Sequence, residues 1–174
     1  EAGLQKLPCC NLSESFENSA TIDVGYADAV TGAKHIKMLG LAGVYSQMLF
    51  ENIPYLRGLE SAFGLSYVPG PWMESIQISK GAAAVINGYE STTGQINIEY
   101  KKPEKGDPLF VNLFANSVGR IETNLSSAIK VSDKWNTMFL IHGSAMQNKM
   151  VRGKDGFMDT PLNRQVNVLN RWKY

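Results

Sequence analysis

The chain has 174 residues, 44% of them apolar and 19% charged, with a net charge of +1. A packed core is available and general disorder is disfavoured, while so small a charge supplies no broad attraction for nucleic acid or acidic membranes. No run of ~18 apolar residues exists, which excludes a transmembrane helix but leaves open a barrel of short alternating strands.

Residues 1–8 lack the basic head and apolar core of a secretory signal. Cys9 and Cys10 follow as the only cysteines, adjacent and therefore unable to make an extensive disulfide framework. Two sulfurs just before a helix start suit a soft metal or a redox-active vicinal pair. No third ligand clusters with them in sequence, so small residues packing beside the helix are the plainer reading. Asn11 is a helix cap with Glu14 three residues on, as in a capping box. Leu12, Ser15, Phe16 and Ser19 then share a helical face.

Residues 22–26 alternate as a short strand, and 35–39 and 44–49 are further strand candidates separated by Gly40-Leu41-Ala42-Gly43. Residues 55–65 have helical spacing, but their glycines suit a loop equally. The segment 54–70, PYLRGLESAFGLSYVPG, offers Tyr55, Phe63 and Tyr67 as stacking faces and Arg57 as a fixed cation. Such a set fits an anionic chelate or a planar ligand. Alternatively the aromatics pack the loop down while Arg57 pairs with Glu60 or with a carboxylate of the later, barrel-like strands.

Residues 74–103 read ESIQISKGAAAVINGYESTTGQINIEYKKP. Ile76 and Ile78 mark one strand, Lys80-Gly81 breaks it, Asn87-Gly88 is a turn dipeptide, and 95–100 alternate again before Lys101-Lys102-Pro103. This order resembles the closing part of the plug domain of TonB-dependent outer-membrane receptors. The Leu12-to-Phe16 helix, Met38-Leu39-Gly40-Leu41 and VYSQMLFENIP fit earlier plug pieces, with Glu51-Asn52 where relatives commonly have Asp-Gly.

From 109 onward the text changes character. Stretches 109–116, 120–131, 135–145 and 165–174 read as strands, joined by a turn at Ser132-Asp133-Lys134 and a long connection over 147–163. Ile121, Leu125 and Ile129 alternate with Glu122, Asn124, Ser126 and Lys130; Trp135, Phe139 and Ile141 alternate with Asn136, His142 and Ser144, though Met138 and Leu140 blur the pattern. This is the pattern of a transmembrane barrel, and equally of an ordinary half-exposed antiparallel meander. The preceding plug-like segment favours the barrel.

The resulting expectation is an α+β chain: a small plug domain over 1–103 with a mixed sheet and short helices, then antiparallel strands over 104–174 that begin a transmembrane β-barrel. Four strands are far below the ~8 of the smallest such barrel, so a fragment is expected, with any TonB-contacting segment lying before Glu1. The resemblance implies a non-enzymatic plug, held in the barrel lumen at the outer membrane, that gates uptake of a scarce nutrient such as a metal or metal chelate. Its partners would be TonB, the remainder of the barrel and the small ligand, with no nucleic acid and no cofactor. Tyr55, Arg57, Phe63 and Tyr67 are the expected ligand residues, and Cys9 and Cys10 a speculative metal pair. The alternative is a free-standing extracytoplasmic ligand-binding or adhesion domain. His35 and His142 lie far apart, and no nucleophile elbow or metal-hydrolase spacing supports an enzyme.

Overall fold

In a computed structural model the chain is described at residues 11–16, 22–26, 34–58, 60–83, 90–151, 156, 158 and 161–174; the side chains of 26, 62 and 63 are not described. The described residues up to Tyr100 form one compact unit and those from Lys101 onward a second.

The first unit opens with α1 (Leu12–Phe16). Asn11 Oδ1 accepts the Glu14 N–H at 3.2 Å, and Asn11 Nδ2 reaches back to Glu14 Oε1 at 3.2 Å, so the expected cap is present. Leu12 and Phe16 are buried on the expected face, but Ser13 replaces Ser15 as their buried companion. Strands β1 (Ile22–Tyr26), β2 (Lys34–Met38) and β3 (Leu41–Ala42) make a small antiparallel sheet. A 3-10 turn over Gly43–Tyr45 then delays β4 to Ser46–Phe50, later than the alternation suggests. Gly43 permits that turn: a Cβ there would lie 2.8 Å from Ile36 Cγ1 and 2.9 Å from its carbonyl oxygen.

Four strands form the mixed sheet of this unit, in the order β5 (Ile53–Pro54), β4, β7 (Gly94–Tyr100), β6 (Met73–Lys80). The two runs of the closing motif pair antiparallel, Ile76 opposite Ile98 and Ile78 opposite Ile96. β4 lies parallel to β7, with Met48 opposite Ile96. β4 is accordingly apolar or buried at nearly every position, as a central parallel strand requires. Buried polar groups between these strands are paired: Ser46 Oγ with Thr93 Oγ1 at 2.7 Å, and Gln95 Nε2 to Gln47 Oε1 at 2.7 Å.

The link from β4 to β5 is a two-residue hairpin in which Glu51 and Asn52 both have positive φ, 49° and 66°. Such primed turns favour Asn and Gly, so Glu51-Asn52 does serve as a turn, with Glu51 the strained member. The Asn52 N–H is held by Asn97 Oδ1 at 2.9 Å. α2 spans Glu60–Tyr67, starting later than the spacing suggests. Leu56 and Gly58 occupy left-handed backbone first, at φ 56° and 60°, and no helix runs through such residues. Leu65, Val68, Trp72, Met73, Ile96 and Ile98 complete the core.

The second unit is one antiparallel sheet in the order β11-β10-β9-β8, comprising β8 (Phe110–Ala115), β9 (Arg120–Lys130), β10 (Asn136–Met146) and β11 (Arg164–Lys173). Before it, residues 104–108 lie against the sheet: Asp107 O accepts the Ala128 N–H at 3.0 Å and Pro108 O accepts Ser127 Oγ at 2.8 Å. Lys173 donates to Glu104, which holds that carboxyl below its ordinary range.

Candidate functional site

The segment expected to bind ligand is pinned at three successive residues. Tyr55 stacks on Phe50 at 5.9 Å between centroids, and Phe50 in turn on Tyr100 at 4.4 Å. Leu56 is buried in a seat that only a glycine at 64 allows, because a Cβ on Gly64 would run into the Leu56 methyls. Arg57 then projects outward as a bidentate fork on Glu90, with Nε to Oε2 at 2.9 Å and Nη2 to Oε1 at 2.8 Å. The carboxylate that engages this fork is thus Glu90, which belongs to the first unit and not to the later strands.

This pair stands at the edge of a cavity of about 650 Å³ in the first unit. β2 contributes Lys34 and Lys37, the start of β4 contributes Ser46 and Met48, and α2 contributes Ser61 and Leu65. Among the described lining residues, three cations face one carboxylate, a positive balance. Lys34 Nζ also donates to Ser13 Oγ at 3.0 Å, which ties α1 to the cavity wall. The chemistry available is capture of an anion: a guanidinium fork that Glu90 already engages, flanked by ammonium groups and hydroxyls.

Of the three expected ligand residues whose side chains are described, Arg57 lines this cavity. Tyr55 is partly exposed within the aromatic stack, and Tyr67 is exposed at the end of α2; neither lines the cavity. The side chain of Phe63 lies outside the described residues, as do Cys9 and Cys10. Among the described residues no group of three or more His, Cys, Asp or Glu is placed to hold a metal. Lys34 and Lys37 carried no signal in the sequence beyond being charges on a short strand. Tyr100, beneath Phe50, has its phenol pKa pushed up, chiefly by burial and then by the nearby Tyr55 and Glu51.

The second unit carries its own signal. Val166, Val168 and Leu113 are 77%, 65% and 73% exposed, while Glu122, Asn124 and His142 are 1%, 2% and 3% exposed. Register aligns Asn112, Asn124, His142 and Asn167 in one row across all four strands. Within it His142 Nδ1 meets Asn124 Oδ1 at 2.8 Å. Met138 and Leu140 join this buried face, which is why they blurred the alternation. At one end, by the short 131–135 turn, Trp135 packs on Trp172 at 6.3 Å and on Tyr174 at 5.0 Å. No helix among the described residues is long and apolar enough to cross a membrane.

A sheet that buries Glu122, Asn124 and His142 while exposing valines is inverted relative to a water-soluble meander. Alternating strands with an exposed apolar face and clustered aromatics at one end have the pattern of an outer-membrane barrel wall. The small mixed sheet before them pairs the two runs of the closing motif, as the plug resemblance implies.

Solved structures share this fold. Over 99% of its length the chain matches the ferric-catecholate import receptor Fiu of E. coli K12, at 18% identity and a TM-score of 0.72, covering 23% of that receptor. It matches the ferric yersiniabactin uptake receptor FyuA of Yersinia pestis over 97% of its length, at 11% identity and a TM-score of 0.77, covering 27% of that chain. For FpvA of P. aeruginosa bound to a pyoverdine and iron the values are 83%, 16%, 0.71 and 19%. The chain therefore spans at most about a quarter of these receptors, and at such identities the likeness shows the fold. No protein-family model matches the chain, and no curated protein does.

Proposed function

We propose that this chain is the plug, over 1–103, and the opening barrel strands, over 104–174, of a TonB-dependent outer-membrane receptor. Its task is to close the barrel lumen and to release it when a scarce nutrient is bound, with energy delivered through TonB. The observation that carries this reading is the inverted burial of β9 to β11, which makes sense with hydrocarbon on the exposed side and a polar lumen on the other. Fiu, FyuA and FpvA are each described with an iron chelate, so a ferric chelate is the substrate class proposed here. The role proposed is transport rather than catalysis, because Fiu and FyuA are described as import and uptake receptors.

The proposed ligand surface joins Tyr55, Phe63 and Tyr67 with the cavity at Arg57. An anionic chelate offers Arg57 the same bidentate geometry as Glu90 does and competes for it. Glu90 precedes β7 closely, so freeing it alters the support of the closing strand. Binding and plug release are linked in this way through one exchangeable ion pair, whose wet surroundings keep the exchange cheap.

The test is uptake of radiolabelled ferric catecholate, ferric pyoverdine and ferric yersiniabactin by cells carrying the full receptor, with and without TonB. Uptake of one chelate that needs both proteins is expected. Arg57→Ala should weaken its binding by about tenfold, corresponding to roughly 1.4 kcal/mol, while Glu90→Gln removes the competing carboxylate and should strengthen it. A protein recovered from the soluble periplasm that carries no chelate would instead establish the free-standing binding domain.

A further inference from the structure

The exposed face of the second unit is largely apolar in rows fixed by strand register, with Thr123, Asn170 and Arg164 among its polar members, and Gly143 is the position on it that carries no side chain. Leu113, Thr123, Gly143 and Val166 form one row; Ala115, Ile121, Ala145 and Arg164 form the next. A Cβ on Gly143 would meet nothing within 4 Å, and its φ lies outside the left-handed region. Neither turn geometry nor close approach therefore requires glycine there, and glycine in a strand interior weakens the strand. What its absent side chain provides is space: a depression of about 410 Å³ bordered by Ile121, Thr123, Ala145, Val166 and Arg164.

Arg164 is the second anomaly. It places an exposed guanidinium on the apolar face, at the edge of the depression, with no hydrogen bond or ion pair from its side chain among the described residues. It also lies at the end of the sheet from which the long 147–163 connection springs, opposite the Trp135, Trp172 and Tyr174 girdle. In outer-membrane barrels the longer connections face the exterior. A cation over an apolar notch complements a molecule with a phosphate above and a hydrocarbon chain below, and the planar fork suits phosphate in particular.

We propose that this depression is a lipid seat: one phosphorylated lipid of the outward leaflet places its phosphate on Arg164 and an acyl segment in the notch at Gly143. The proposal rests on the barrel reading given above, and it assigns Gly143 and Arg164 a role that transport of the chelate does not use.

The experiment takes the full-length receptor in phosphatidylcholine nanodiscs doped with phosphatidic acid or, in its place, diacylglycerol. Native mass spectrometry then counts the lipid retained on release. The wild type is expected to retain phosphatidic acid in preference to diacylglycerol. Arg164→Gln should lower that retention about fivefold, and Gly143→Leu, which fills the notch yet keeps the face apolar, should lower it similarly. Val111→Leu, on the same face away from the notch, should leave it unchanged. Equal retention by all four proteins overturns the proposal, as does displacement of the lipid by excess inorganic phosphate that itself stays bound. A receptor that fails to insert overturns the barrel reading and the lipid seat together; insertion with unaltered lipid retention overturns the lipid seat alone.

Discussion

Arg57 shows how far a single residue can be read from sequence and where the reading stops. A lone arginine among aromatics in a glycine-bearing segment marked a side chain that the fold places at a cavity. Its partner, Glu90, was invisible because the two are distant in sequence and meet only through the sheet. Lys34 and Lys37 were equally silent, since a strand charge looks the same whether it lines a cavity or faces water. Tyr100 gives the sharpest prediction at this scale. Burial, then the fields of Tyr55 and Glu51, raise its phenol pKa above the ordinary tyrosine value of 10.0. A group whose folded pKa is raised contributes stability that is intact below its unfolded pKa and is lost as pH climbs toward the folded one. Ultraviolet titration of the full receptor should therefore show one phenol ionising late, and Tyr100→Phe should remove that late step while retaining the contact with Trp72. A titration unchanged by the substitution would mean that Tyr100 is not enclosed as described.

At the scale of elements, local chemistry was legible and long-range pairing was partly so. Asn11 announced its helix because the cap and its partner sit three residues apart. The helix after Arg57 started later than its spacing suggested, because left-handed Leu56 and Gly58 interrupt the chain without any compositional mark at Leu56. The closing motif placed β6 beside β7, and its glycines divide by mechanism. Gly81 turns the chain at φ 92° with open space around it, whereas a Cβ on Gly94 would run into the Ser79 carbonyl and the Met38 sulfur. Gly94→Ala should consequently cost about 1–3 kcal/mol through overpacking, read as lost hydrogen-exchange protection across β6 and β7. Gly81→Ala should cost only the strain of its backbone, roughly 1–2 kcal/mol, with protection of β7 preserved. Equal effects of both on β7 would contradict the close approach at Gly94.

For the whole molecule, the strands of the second unit were plain in the sequence but their direction was not. Strict alternation is symmetric: Val166, Asn167 and Val168 have the same pattern whether the valines face a core or a membrane. The family resemblance of the preceding segment broke that symmetry, and among the described residues Glu122, Asn124 and His142 are buried while Val166 and Val168 are exposed. The aromatic girdle was not anticipated, because Trp135 and Trp172 come together only when β10 and β11 pair. Spin labels placed singly at 165–169 in the full receptor, reconstituted in bilayers, test the inversion directly. The labels at 166 and 168 should relax with lipid-soluble oxygen, and those at 165, 167 and 169 should not. Oxygen access at 167 in place of 166 and 168, or the same access along the whole strand, would contradict a barrel wall.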